Sequence, residues 1–225
     1  MDQLEHRTIV TKPYNLTYSY YLSPNFNEKL DKSTPTLVFN HGFPDMAEMW
    51  AGALPHMLKL PYPFLLMDLL GFGDTSKPTE TEKYNYRQQA DSIAQILDKE
   101  GVPNNVIPIG HDWGSAVSQR FFLYHRQRCV GLSLISLAYQ IPSPEPFSLD
   151  GSDEATTKRF GYPQWEYWNF FTGESFLYPV LRLLANHAKP RMLRGCWKTT
   201  LTGSMRSCMA IIHHRSPRRT GATFG

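Results

Sequence analysis

The segment VIPIGHDWGS, residues 106–115, constrains the fold of this chain more than any other stretch. A short apolar run leads into a glycine, Asp112 stands two residues later, and a second glycine opens helix-like sequence. Small residues two positions before and after a central polar side chain are typical of a sharp turn between a buried strand and a helix. Because an unpartnered charge inside a strand is costly, we expect Asp112 to project at the carboxyl end of the strand. There its carboxylate lies at a helix N-terminus, which favours the ionised form.

Strand-like and helix-like segments alternate around this turn. The first two strand-like runs alternate apolar with polar residues, and the later ones are short apolar runs stopped by polar or glycine residues. In chain order they are RTIVT, LTYSYYLSP, TPTLVFN, YPFLLMD, NNVIPIG and VGLSLISLA. Helical periodicity covers residues 86–100 and 113–126. The first two runs predict an antiparallel pair, and the rest predicts an α/β fold whose mostly parallel sheet has helices on both faces.

The net charge of +3 is unevenly distributed along the 225 residues. All 20 acidic residues but only 14 basic ones lie at or before Glu174, so this part carries −6 and the last 51 residues carry +9. A basic segment of this kind indicates either an arm that binds nucleic acid or an anionic membrane, or a stretch not selected to pack, such as an alternative or frame-shifted end. Interruption by Trp, Met, Cys and Ile favours the second interpretation, so we expect no nucleic-acid partner.

Cysteine usage and the N-terminal sequence argue against a disulfide-linked, zinc-binding, secreted or membrane-spanning protein. Three unevenly spaced cysteines fit neither a disulfide framework nor a zinc site, which predicts reduced thiols and no metal. The chain has no apolar signal segment near its start and no run of about 18 uncharged apolar residues. We therefore expect a cytoplasmic protein without a membrane span.

These patterns divide the chain into three parts. Residues 1–139 are interpreted as the sheet-and-helix core, residues 140–187 as a partial cap over the sheet, and residues 188–225 as an atypical basic tail, expected to be disordered. The cap is rich in proline and then in aromatic residues, which form either a small aromatic core or the lid of a hydrophobic pocket. Those aromatic residues are Tyr162, Trp165, Tyr167, Trp168, Phe170 and Phe171.

A second motif, NHGFPD at residues 40–45, directly follows the strand-like run TLVF. A turn of this composition can aim the backbone N–H of Phe43 at the point reached by the backbone N–H of Trp113. Two such donors form an oxyanion hole, which stabilises negative charge developing on an oxygen atom. Each motif is weak alone. Together, with MDLLGFGDTSKP between them, they predict a hydrolase site around Asp112.

These motifs give the chain a resemblance to the α/β-hydrolase fold and, within it, to the soluble epoxide hydrolases. The resemblance spans about residues 16–187 and rests on HGFPD, MDLLGFGDTSKP, GHDWGS and the aromatic cap segment GYPQWEYWNFF. It implies that Asp112 is a nucleophile that attacks the less hindered carbon of an epoxide, giving an alkyl-enzyme ester. It also implies that Phe43 and Trp113 supply the oxyanion hole.

The same resemblance assigns roles in the cap and the pocket. A cap tyrosine of this family donates a hydrogen bond to the epoxide oxygen as the ring opens, and the match of YWNFF to the family's cap motif favours Tyr167 over Tyr162. His41 and Tyr162 are expected to line the substrate pocket. The implied partners are a small apolar epoxide and water, with no metal or organic cofactor.

The chain departs from this family after the cap. Family members continue through two further strands that carry a third acid and then a histidine, which together activate water to hydrolyse the ester. Here His213 and His214 stand in AIIHHRSPRR with no preceding strand–Asp–helix pattern and no Gly-His turn, so neither is expected to be the base. The sequence predicts a C-terminally truncated member, either an epoxide hydrolase or a catalytically incomplete relative. A haloalkane dehalogenase is the chemical near neighbour, since it too uses Asp followed by Trp.

Overall fold

The computed structural model describes residues 1–144 and 147–168. Its strands are β1 (Glu5–Thr11), β2 (Leu16–Leu22), β3 (Thr36–Asn40), β4 (Phe64–Met67), β5 (Val106–His111) and β6 (Ser133–Ile135). Its α-helices are α1 (Leu54–Met57), α2 (Tyr86–Lys99), α3 (Trp113–Tyr124) and α4 (Leu149–Phe160). Short 3-10 helices lie at Asn27–Lys29, Ala47–Gly52, Thr81–Tyr84 and Arg126–Arg128.

The described strands form a six-stranded sheet in the order β1–β2–β4–β3–β5–β6. β1 pairs antiparallel with β2, and β2 with β4, while β4, β3, β5 and β6 run parallel to one another. The predicted α/β fold, with an antiparallel first pair and a mostly parallel remainder, is confirmed. Asn40 lies opposite Gly110, and His111 lies opposite Ile135. The loops after β3, β5 and β6 therefore meet at one edge of the sheet, where ligands bind in folds of this type.

Each face of the sheet carries its own apolar core. Side chains alternate along β3, so Val38 enters the core beneath α2 and α3, whereas Leu37 and Phe39 enter the core beneath α1. The apolar stripe of α2 explains its position on the first face, and the side chain of Asn85 caps this helix by accepting the Gln88 N–H at 2.8 Å. Both faces are covered by helices, as the pattern predicted.

Two predicted elements are shorter in the structure. α3 ends at Tyr124, because the chain tightens into a 3-10 turn at Arg126–Arg128. The strand predicted within VGLSLISLA is limited to Ser133–Ile135, and residues before it are held instead by the Val130 N–H, which donates to the Val106 carbonyl at 3.0 Å. The division into core, cap and tail stays a prediction, since residues 169–225 lie outside the described part.

Candidate active site

Asp112 stands at the turn between β5 and α3. Its backbone is left-handed, with φ 51° and ψ −123°. This conformation costs a residue other than glycine about 1–3 kcal/mol. Close approach explains the small residues on either side. A Cβ at Gly110 would lie 2.4 Å from the Ser115 nitrogen, and one at Gly114 would lie 2.3 Å from the Asn40 carbonyl oxygen. The turn therefore packs directly on the end of β3.

Replacing Gly114 with alanine should destabilise the fold, because the added methyl group would overlap the backbone of β3 rather than a movable side chain. We expect the free energy of unfolding to fall by at least about 2 kcal/mol. Gly52→Ala is the matched control, since a Cβ there meets nothing within 4 Å. It should change the free energy by less than about 0.5 kcal/mol. Urea unfolding followed by tryptophan fluorescence compares the two, and equal effects would contradict the close packing at the turn.

The NHGFPD turn lies against Asp112. The backbone N–H of Phe43 donates to Oδ1 of Asp112 at 3.0 Å. A Cβ at Gly42 would lie 2.6 Å from the Cβ of Asp112, so the backbone of this turn touches the aspartate. Two residues 69 positions apart are thus brought together. Trp113 is the first residue of α3, where helical N–H groups have no intrahelical acceptor, and its bond to the carboxylate stays a prediction.

His41 holds this turn from beneath. Its ring has no exposed surface, Nε2 accepts the Leu69 N–H at 2.9 Å, and Nδ1 lies 2.8 Å from the Gly42 carbonyl oxygen. Because Nε2 accepts, the neutral ring carries its proton on Nδ1 and donates it to Gly42. The sequence placed His41 at the substrate pocket. Complete burial and two occupied ring nitrogens show that it holds the peptide that leads into Phe43, and its place in the pocket lining stays a prediction.

Protonation of His41 should loosen the turn, because Nε2 would then direct a proton at the Leu69 N–H. Burial lowers the pKa of His41 from its ordinary 6.5, and the Gly42 carbonyl and Asp68 only partly oppose this. The unfolded chain therefore binds this proton more readily than the folded one. His41 thus contributes stability above pH 6.5, and that stability is lost as the pH falls from 6.5 through the lower, folded value.

Denaturant unfolding of the native chain and of His41→Gln, measured from about pH 7.5 down to about pH 5, tests this prediction. The free energy of unfolding should fall more steeply for the native chain, since the glutamine side chain does not titrate. All other residues are the same in both proteins, so their contributions cancel in the comparison. Parallel curves would contradict the lowered pKa of His41.

A buried carboxylate that the sequence analysis did not single out supports the same loops. Asp68 directly follows β4; its Oδ1 accepts the Ala47 N–H at 2.8 Å and its Oδ2 accepts the Asp74 N–H at 3.2 Å. It thereby ties the segment after HGFPD to the segment MDLLGFGDTSKP. Gly73, with φ +50°, leaves room for it, because a Cβ there would lie 2.2 Å from the Asp68 Cγ. The sequence contained a signal for Asp68, because this acid directly follows the apolar run FLLM, much as Asp112 closely follows the apolar run VIPI.

The described part of the predicted cap segment contains α4 and returns to this site at its end. Gly161 ends α4 in a left-handed conformation, with φ 83°, and the Trp165 N–H then donates to Oδ1 of Asp153 at 2.6 Å. The ring centroid of the buried Trp168 lies 5.3 Å from that of Trp113. The cap therefore contacts the first residue of the helix that follows Asp112.

The two cap tyrosines of interest are both partly exposed. The pKa of Tyr167 is raised by burial and further by the negative charge of Asp112, and a hydrogen bond with the Trp168 side chain only partly opposes this. Tyr162 is 59% exposed against 42% for Tyr167, and its ring lies 6.4 Å from that of Phe160. Tyr167 therefore lies within the electrostatic field of the Asp112 carboxylate.

A family model described as the alpha/beta hydrolase fold matches residues 35–172, more than half of the chain. The chain belongs to the α/β-hydrolase fold family. This α/β hydrolase is 26% identical over 149 residues to an epoxide hydrolase of Neurospora crassa. It is 30% identical over 151 residues to epoxide hydrolase 1 of Siraitia grosvenorii. These alignments cover 66% and 67% of this chain but 44% of each relative, so the chain spans less than half the length of these curated relatives.

Solved structures of epoxide hydrolases share this fold. An epoxide hydrolase from Vigna radiata aligns with a TM-score of 0.65 at 20% identity, covering 94% of this chain and 73% of that one. Epoxide hydrolase A from Mycobacterium thermoresistibile aligns with a TM-score of 0.60 at 22% identity, covering 79% of this chain and 51% of that one. At such identities the likeness establishes the fold alone.

Within its described residues, this chain has no helix long and apolar enough to cross a bilayer and no cluster of three potential metal ligands. Cys129 is a free thiol, and burial raises its pKa to about 11, so it stays protonated at neutral pH. The other cysteines, Cys196 and Cys208, lie outside the described residues, as do His213 and His214.

Proposed function

We propose that this α/β hydrolase opens small apolar epoxides through an ester on Asp112. The carboxylate attacks the less hindered epoxide carbon, so a C–O bond to the enzyme forms and the ring C–O bond breaks. The electron pair of the broken bond stays on the epoxide oxygen, which takes the hydroxyl proton of Tyr167. The step leaves an alkyl ester on Asp112, a tyrosinate at Tyr167 and a free hydroxyl on the substrate. Hydrolysis of the ester by water then releases the diol and regenerates the Asp112 carboxylate, and the proton left over from the water returns to the Tyr167 tyrosinate.

The contact between Phe43 and Asp112 carries this proposal. Oδ1 accepts the Phe43 N–H at 3.0 Å, whereas Oδ2 accepts no hydrogen bond from the described residues. Oδ2 therefore keeps its lone pairs for attack, and Oδ1 becomes the carbonyl oxygen of the ester. When water attacks the ester, negative charge develops on Oδ1, the atom that the Phe43 amide already contacts. One backbone donor thus serves both halves of the reaction, with the Trp113 amide as its predicted partner.

Tyr167 is proposed as the proton donor because of its environment. Burial and the charge of Asp112 both raise its pKa, so its hydroxyl is protonated at neutral pH and available to donate. A donor is needed only when the ring opens, since the epoxide oxygen gains its negative charge in that step. Tyr162, more exposed and packed on Phe160, is proposed to border the pocket instead.

The substrate class is supported by the relatives, since the proteins of Neurospora crassa and Siraitia grosvenorii named above are epoxide hydrolases. The proposed steps use a carboxylate, a tyrosine hydroxyl and water, and they need no metal or organic cofactor. We also propose a cytoplasmic location, which suits a chain with a buried, unpaired cysteine.

Mass spectrometry of the whole chain tests the proposal. Incubation with styrene oxide followed by an acid quench should leave a fraction of the chain heavier by the mass of one epoxide. The matched diol, which has the same carbon frame but no strained ring, should leave no adduct. Absence of an adduct with epoxides of several sizes would contradict the proposal.

Two other outcomes separate the alternatives. An adduct formed from a haloalkane but from no epoxide would identify a haloalkane dehalogenase-like hydrolase. An epoxide adduct that accumulates to one per chain without release of diol would identify the catalytically incomplete hydrolase that the sequence also predicted.

A further inference from the structure

Trp168 is buried at the inner side of the described cap. It is 4% exposed, whereas its neighbour Tyr167 is 42% exposed. The rings packed around it include those of Trp165, Trp113 and Phe147, at centroid distances of 5.0, 5.3 and 5.4 Å, and that of Tyr167 at 6.2 Å. We term Phe147, Trp165 and Trp168 the aromatic latch. Rings at these distances attract one another beyond the gain from burial alone.

The aromatic latch packs on the two residues that carry the predicted oxyanion donors. The rings of Trp168 and Trp113 are tilted by 39° to each other, and Phe43 packs against the same cluster. Trp113 follows Asp112 directly, and the amide of Phe43 contacts the Asp112 carboxylate. The cap is therefore attached to the core at the turn that presents the nucleophile.

Helix α4 holds the other side of the aromatic latch. The backbone N–H of Trp165 donates to Oδ1 of Asp153 at 2.6 Å, and the backbone N–H of Gln164 donates to Oγ1 of Thr156 at 3.1 Å. The backbone N–H of Trp168 in turn donates to the backbone carbonyl of Trp165 at 2.9 Å. The backbone before Tyr167 is thus held at two points by α4, and the residue after it is held by its stacked ring.

We propose that Trp168 is a positioning residue for epoxide opening. By packing its ring against Trp113, it sets the distance between the Tyr167 hydroxyl and the Asp112 carboxylate that proton transfer to the epoxide oxygen requires. This inference rests on the proposed function. Asp112 itself is also held by its own turn, whose backbone contacts at Gly110 and Gly114 do not involve the aromatic latch. Loosening the aromatic latch therefore displaces the proton donor and leaves the nucleophile in place.

Rapid-quench measurement of the alkylation rate constant, at saturating styrene oxide, tests the inference on the whole chain. Trp168→Leu should lower this constant by about 30-fold, within the range caused by an ångström-scale misplacement of a reacting group. Trp168→Phe keeps a stacking ring and should restore the constant to within about threefold of the native value. Phe160→Leu is the matched control, because it removes a half-exposed cap ring outside the aromatic latch, and it should leave the constant unchanged.

A double substitution separates positioning from simple packing. In a Tyr167→Phe background the proton donor is already absent, so Trp168→Leu should cause little further loss. A packing role predicts the same loss in both backgrounds, and that result would overturn the inference. If Trp168→Leu does not fold, Phe147→Leu replaces it in the test, because it removes the exposed ring that packs on Trp168. It should lower the constant about fivefold, and an unchanged constant would overturn the inference.

Circular dichroism in the indole absorption bands reports the aromatic latch without any reaction. The close rings of Trp113 and Trp168 should give an exciton signal that Trp168→Leu removes and Phe160→Leu keeps. A native chain that shows this signal but forms no ester would defeat the proposed function, and the positioning role with it. Normal ester formation at a rate unchanged by Trp168→Leu would overturn the positioning role alone.

Discussion

Replacing Asp112 with alanine should abolish the covalent adduct formed with an epoxide. The substitution removes the attacking oxygen together with the acceptor of the Phe43 N–H. After incubation with styrene oxide and an acid quench, intact mass spectrometry should show no heavier species. In the native chain, digestion should locate the added mass on the peptide that contains Asp112.

Asp45→Ala serves as the control for Asp112→Ala. Asp45 belongs to the same HGFPD turn and is exposed, so its loss should leave adduct formation unchanged. A label found on any residue other than Asp112, or an Asp112→Ala chain that still forms the adduct, would defeat the assignment of the nucleophile.

Replacing Tyr167 with phenylalanine should slow ester formation by about a hundredfold or more, as removal of a single transition-state donor does in other enzymes. The ring and its packing are retained, so the loss reflects the hydroxyl alone. Because the donor acts as negative charge develops on the epoxide oxygen, the rate constant at saturating epoxide should fall while the half-saturating concentration changes little. A rapid-quench time course of the adduct measures both quantities.

Tyr162→Phe is the comparison for this result. We expect it to alter the rate constant by less than about threefold, since a pocket-bordering hydroxyl does not meet developing charge. A small effect of Tyr167→Phe with a large effect of Tyr162→Phe would transfer the proton-donating role to Tyr162.

The fold could be predicted from local patterns because each strand has its own signature. Alternation in β1 indicates a sheet margin, where the structure leaves most residues exposed, and the continuous apolar runs of β3 and β4 indicate burial on both faces, which the structure shows. The order of the strands in the sheet could not be predicted from these local patterns. β4 lies between β2 and β3, an arrangement set by crossover connections and not by any property of the strand itself.

The candidate site was predictable where a motif forces a backbone shape. The glycines around Asp112 indicate a turn too crowded for side chains, and the structure shows the contacts that cause the crowding. His41 illustrates the limit of such reasoning. Its motif identified it as important, but only the position of Leu69, 28 residues away, decides that the ring is buried and used as a support.

The sequence by itself determined the alternation of strands and helices, the sharp turn at Asp112 and the nature of the residues that can flank it, because these depend on chain geometry within a few neighbouring residues. The tertiary structure alone decided that Phe43 contacts Asp112, that Asp68 ties two loops together, and that Trp168 packs against Trp113. Each of these contacts joins segments far apart in the chain. Their meeting is set by strand order and by the closure of loops over the sheet, whose free energy is a balance of many small terms that no local pattern records.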